Sequence, residues 1–158
     1  MPSGSAQAET VSIECRNSIF PIGKSMNSNH SGTCLCGEVR YTVHGVFERF
    51  HLCHCSHCRK DTGSAHAANL FSSSAKLTWL SGEASIATFQ LAGTRHVRSF
   101  CANCGSPVPF ADSHSIVVPA GGLDTDPCIL PDGHIFTGSR ATWDHNLHAA
   151  RWYDALPT

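Results

Sequence analysis

The chain contains no apolar run approaching the ~20 residues that span a bilayer. Residues 1 to 30 hold only Ile19, Phe20 and Ile22 as a local apolar group, broken by Pro21. Neither a membrane-spanning protein nor a secretory leader with an apolar h-region is expected. Basic runs are missing as well. Eleven Lys and Arg are matched by 12 Asp and Glu, so the cationic face with which many zinc-ribbon modules grip phosphates is lacking, and no nucleic-acid partner is expected. No long helical period is visible, nor any internal repeat or low-complexity tract. What remains is 158 residues with 41% hydrophobic content, which suits one domain with a core of ordinary size.

Cysteine is abundant instead. Seven of the nine fall into three tight clusters, Cys34-Leu35-Cys36-Gly37, Cys53-His54-Cys55-Ser56-His57-Cys58 and Cys101-Ala102-Asn103-Cys104-Gly105. Paired cysteines in a secreted chain suggest a disulfide framework, but without a secretory segment the metal reading is stronger: C-x-x-C followed by Gly is a zinc-turn pattern, and a reducing cytoplasm keeps thiols available as ligands. A structural zinc takes four protein donors and is closed; a catalytic zinc is held by three and keeps a fourth position open. Seven divides into four and three. With seven thiolates and two Zn²⁺ the formal charge of −1 becomes −4, which is mildly acidic. Cys15 and Cys128 have no neighbour at ligand spacing and are expected as thiols.

Residues 1–28, rich in Ser, Asn, Ala and Gly, show no periodicity and are read as a flexible arm. Met26 stands just before patterned sequence begins, so residues 1–25 fit an upstream extension; the competing expectation is that Ile19, Phe20 and Ile22 cover a sheet edge. Residues 29–158 form the expected domain. In it Val39, Tyr41 and Val43 alternate with Arg40, Thr42 and His44, as in a strand with one buried face. Further strands are predicted at 67–71, 76–80, 86–91, 96–100 and 115–119, separated by Gly, Ser and Asp turns. The expected class is all-β, small antiparallel sheets joined at zinc-bearing turns, with one short helix after Cys58.

In a regular strand, residues two apart lie about 6.5 to 7 Å apart, farther than two thiolates on one zinc, so each C-x-C is expected on a bend. Gly37 and Gly105 supply the freedom for tight turns. Cys34 and Cys36 with Cys101 and Cys104 make a natural four-sulfur set, leaving Cys53, Cys55 and Cys58; spacing also permits Cys34 and Cys36 with Cys55 and Cys58.

The series C-x-C-G, then C-H-C-S-H-C-R-K-x-T-G-S, then F-C-A-N-C-G-S-P, followed by His134-Ile135-Phe136-x-Gly138-Ser139, resembles the glutathione-dependent formaldehyde-activating enzyme family, which includes relatives of centromere protein V. The resemblance covers roughly residues 30 to 157. It implies the β-tent fold and two zinc ions per chain: a structural ion on Cys34, Cys36, Cys101 and Cys104, and a labile catalytic ion on Cys53, Cys55 and Cys58. It further implies a carbon-sulfur lyase acting on a thiol adduct of a small aldehyde or a related compound, with a small thiol such as glutathione as partner. The alternative is a non-catalytic zinc-binding interaction module, and a more distant one a thiol redox protein like the methionine sulfoxide reductases. Arg59 and Lys60 are candidates for the thiol's carboxylates. His51, His54 and His57 are candidates for a fourth ligand or a proton carrier. Trp79, Trp143 and Trp152 are expected to pack in the core or at a rim, with Trp143 a candidate pocket wall.

Overall fold

The computed structural model describes residues 29–157; the expectations for the N-terminal arm, Cys15 and Met26 lie outside the described residues. Eleven short strands and one helix appear in chain order. β1 (Asn29–Thr33), β2 (Arg40–His44) and β3 (Arg49–Cys53) precede α1 (Ser56–Thr62). Then come β4 (Ala67–Ser72), β5 (Lys76–Ser81), β6 (Ile86–Gln90) and β7 (Val97–Cys101), followed by β8 (Pro107–Val108), β9 (Phe110–Ala111), β10 (Ile116–Pro119) and β11 (Gly133–Ile135). The all-β reading holds.

Three sheets result, ordered β1-β2-β5, β11-β3-β4-β10-β9 and β6-β7-β8. Every pairing within them is antiparallel except one: β11 runs parallel to β3, with Gly133 beside His51, His134 beside Leu52 and Ile135 beside Cys53. A parallel neighbour requires a long crossover, and here the chain travels from Cys53 to Gly133 before returning. The helix also departs from expectation. It begins at Ser56 and contains Cys58 instead of following it, because Cys55 caps it: the Cys55 sulfur accepts from the Cys58 backbone N–H at 3.4 Å.

Alternation on β2 puts Tyr41 and Val43 inside, and they meet Phe47, Leu70, Ile116 and Val118 in one core cluster. The Tyr41 hydroxyl donates to the Gly122 carbonyl at 2.8 Å, so the ring is buried without stranding its polar end. A second cluster gathers Cys34, Val39, Cys101 and Val108, and half-buried Trp79 packs against both. Two of the predicted metal ligands thus sit in a hydrophobic core. Among the described residues, no helix is long and apolar enough to cross a membrane.

Candidate metal centres

The first cysteine group is assembled from two turns 65 residues apart. At the β1–β2 turn the Gly37 N–H donates to the Cys34 carbonyl at 2.9 Å, and at the turn after β7 the Gly105 N–H donates to the Cys101 carbonyl at 2.8 Å. Both glycines take a positive φ, +80° and +74°, which a side chain would strain. These turns bring the Cys34, Cys36, Cys101 and Cys104 sulfurs within 4.8 Å of one another. Cys34 and Cys36 are separated by 3.5 Å and Cys36 and Cys101 by 3.8 Å. At a Zn–S distance of about 2.3 Å, the edge of a sulfur tetrahedron is about 3.8 Å. The four sulfurs therefore fit a zinc-sized ion with no rearrangement of the turns.

Outer contacts favour thiolate. The Val39 N–H donates to Cys34 at 3.2 Å and the Asn103 amide to Cys36 at 3.4 Å. The Ser106 hydroxyl, 3.3 Å from the Cys104 sulfur, and the Ser106 backbone N–H hold the Cys104 thiol down to about 6.

The second group is local. Cys53 ends β3, Cys55 caps α1 and Cys58 lies in the first turn, and their three sulfurs fall within 4.8 Å of one another. Burial works to raise the Cys55 thiol, but donation from the Cys58 N–H and the neighbouring thiols more than offsets it and brings Cys55 below its ordinary range. Burial and the adjoining sulfurs push Cys58 up. These three donors also suit a metal, with one side left to something else. Half-buried Cys58 lines a cavity of about 690 Å³ that reaches across to Leu35 and Ser106 beside the first group.

No histidine joins the three sulfurs among the described residues. His51 packs on Phe71 and His57 on His96. His54, only 1% exposed, turns away: its Nε2 is hydrogen-bonded to His134 Nδ1 at 2.7 Å and its Nδ1 lies 2.8 Å from Asp144 Oδ2. Arg140 closes the chain, donating from Nε to Asp144 Oδ2 at 3.1 Å and from Nη2 to the Asp144 carbonyl at 2.6 Å. Sequence reasoning noted His134 only as part of a motif and missed Asp144 and Arg140 entirely.

The cavity differs from expectation in its cations. Arg59 and Lys60 do not line it; Arg95, His96 and Arg98 do, and Lys60 faces a shallower hollow of about 570 Å³ over Phe89, Leu91 and Phe100. Arg98 is held by Asp61, with Nη1 2.6 Å from Oδ1 and also bonded to the Asp61 carbonyl, while its Nη2 donates to the Gly105 carbonyl at 3.2 Å. One guanidinium thus ties the helix that carries Cys58 to the turn that carries Cys104. Trp143 and Trp152 correct the packing expectation, since they are 61% and 86% exposed, and neither lines a cavity described above. Cys128 is disulfide-bonded, where the sequence reading expected a thiol.

The model of the family described as glutathione-dependent formaldehyde-activating enzyme matches residues 29–139. Curated proteins yield no match to the sequence. Among solved structures, a Rhodobacter sphaeroides protein from a structural genomics programme aligns at 22% identity with a TM-score of 0.45, over 66% of this chain and 98% of that one.

Proposed function

The chain belongs to the glutathione-dependent formaldehyde-activating enzyme family, and from that premise we propose that it is a zinc-dependent carbon-sulfur lyase acting on the thiol adduct of a small aldehyde or a related compound. The observation that carries the reading is the contrast in donor number. Four sulfurs surround one position completely, while three surround the other and Cys58 opens it to a cavity. In this reading Cys34, Cys36, Cys101 and Cys104 hold a structural zinc, and Cys53, Cys55 and Cys58 hold a labile catalytic one. Bound to the three-sulfur group, zinc supplies a positive centre that favours the deprotonated form of a thiol at its open position.

The chain's own residues bind and orient. A cavity of about 690 Å³ is large enough for a thiol the size of glutathione. Arg95 and Arg98 on its wall suit the carboxylates of such a thiol, and the Asp61 clamp keeps Arg98 in one geometry. In the reaction the thiol sulfur bonds to the aldehyde carbon and its proton passes to the aldehyde oxygen; the lyase direction reverses both. Residues 29–158 constitute the zinc-binding domain and residues 1–28 its arm. A reducing compartment such as the cytoplasm suits seven thiol ligands, whereas the Cys128 disulfide points the other way.

A non-catalytic interaction module is the second reading, favoured by the exposure of Trp143, Trp152 and Tyr153. Exchange NMR on glutathione and formaldehyde separates the two. The zinc-loaded protein is expected to accelerate formation and breakdown of the adduct, with the acceleration lost in Cys55→Ser. An exchange rate equal to that of the uncatalysed mixture, with both metals in place, would refute the lyase.

A further inference from the structure

His54 lies between two of the three sulfurs of the open group, yet its ring serves neither. Extended backbone would set Cys53 and Cys55 too far apart to share an ion; the chain bends at Cys55, directly after His54, and something must hold that bend. The structure shows what does. The His54 N–H donates to the Ile135 carbonyl at 3.0 Å, ring Nε2 is hydrogen-bonded to His134 Nδ1 at 2.7 Å, and ring Nδ1 lies 2.8 Å from Asp144 Oδ2 as an ion-pair contact without hydrogen-bond alignment. Asp144 is itself 3% exposed and held by Arg140. His66 is the remaining titratable neighbour, its ring 5.1 Å from that of His54 and 6.2 Å from that of His134.

Strand register fixes which side this network occupies. Cys53 pairs with Ile135 on β11 and Ala67 on β4, whereas His134 pairs with Leu52. Neighbours along a strand face opposite sides of the sheet, so Cys53 and His134 point to opposite faces. His54 therefore grips the cysteine turn from behind, through a segment some 80 residues away in sequence. The Asp144 carboxylate sits against Nδ1 as an ion-pair contact, and Nε2 shares a hydrogen bond with His134 Nδ1. Each ring is then fixed in orientation by its neighbour.

We propose that the Arg140–Asp144–His54–His134 chain is the positioning device of the three-cysteine group, so that Asp144 and His134, which touch none of its sulfurs, set its affinity for metal. The inference rests on the two-metal reading given under Proposed function. Outer partners that orient metal ligands typically change affinity by 10–100-fold, and the same range is expected here.

Zinc binding is measured on the full chain by competition with a chromophoric chelator, for wild type, Asp144→Asn, Asp144→Ala, His134→Gln and the core control Leu70→Ala. The proposal expects the weaker zinc equivalent to bind about 10–100-fold less tightly in the Asp144 and His134 variants, with the tighter equivalent unchanged. Leu70 is fully buried in the main core, so Leu70→Ala should lower the melting temperature without shifting the weaker equivalent selectively. Affinity within about twofold of wild type in the folded variants would overturn the proposal, as would an equal selective loss in Leu70→Ala. Should the Asp144 variants fail to fold, exposed His134 decides by the same criteria. A wild-type protein that takes up only one equivalent would refute the two-metal reading itself and this inference with it.

Discussion

The two cysteine groups are built by opposite strategies. The four-sulfur group joins turns at residues 34–37 and 101–105, and two of its members, Cys34 and Cys101, are 4% and 0% exposed within a core cluster. The three-sulfur group comes from one six-residue stretch running from the end of β3 into the first turn of α1, and its last member faces a cavity. A metal at the first site closes a long loop and belongs to folding; a metal at the second adds little to chain topology and remains reachable from outside. The Arg98 bridge from Asp61 to the Gly105 carbonyl spans the two, so the difference between them lies in donor count and chain connectivity more than in distance.

The largest expected effect breaks the comparison on its folding side. Structural zinc contributes on the order of 10 kcal/mol or more, comparable to the roughly 5–15 kcal/mol total stability of an ordinary domain. Cys101→Ser should therefore yield no soluble folded protein, as judged by expression and circular dichroism. A variant that folds and melts like wild type would remove the four-sulfur group from the folding account.

Next in size is Cys55→Ser. It removes one of three sulfur donors while leaving a helix cap in place, since the serine hydroxyl can accept the Cys58 N–H that the Cys55 sulfur now takes. A folded domain lacking the second zinc and any lyase activity is the expected result, checked by metal analysis and thermal melting. Melting identical to that of Cys101→Ser would erase the distinction between the groups.

A smaller effect sharpens the comparison through pH. Burial works to raise the Asp144 carboxyl, but the Arg140 guanidinium and His54 outweigh it and hold the carboxyl below its ordinary value of 3.8. The folded state thus favours the ionised form, and the stabilisation is fully present above the unfolded value, then lost as pH falls below 3.8 through the folded one. Asp144→Asn should flatten the acid limb of stability against pH by up to one proton, about 1.4 kcal/mol per pH unit at most. An unchanged acid limb in urea unfolding would show that Asp144 is not held ionised by its partners.

Much of this was legible in the sequence because short-range patterns carried it. Alternation around Tyr41 located β2, and Gly, Ser and Asp punctuation located β4 to β7 and β10. The cysteine spacing permitted, and the family resemblance selected, the two sets of sulfurs that the fold brings together. What escaped depends on long-range pairing. β11 is three residues, Gly133-His134-Ile135, too short to show a period, and its parallel union with β3 is stabilised by contacts from far along the chain. Asp144 carries no local signal at all; its burial follows from meeting His54, ninety positions earlier. β1 and β3 were missed because polar residues interrupt them, His30 and Ser31 in one, Arg49 and His51 in the other. The cationic wall of the cavity was misplaced for the same reason: Arg59 and Lys60 adjoin the cysteines in sequence, whereas Arg95 and Arg98 approach the cavity in space.

Counting metals by native mass spectrometry during stepwise chelation, with circular dichroism followed in parallel, tests the central claim most directly. The account predicts two zinc ions per chain at the start, loss of one to a mild chelator with the β-sheet signal intact, and retention of the other until the protein unfolds. Departure of both ions in a single step together with the fold would contradict it.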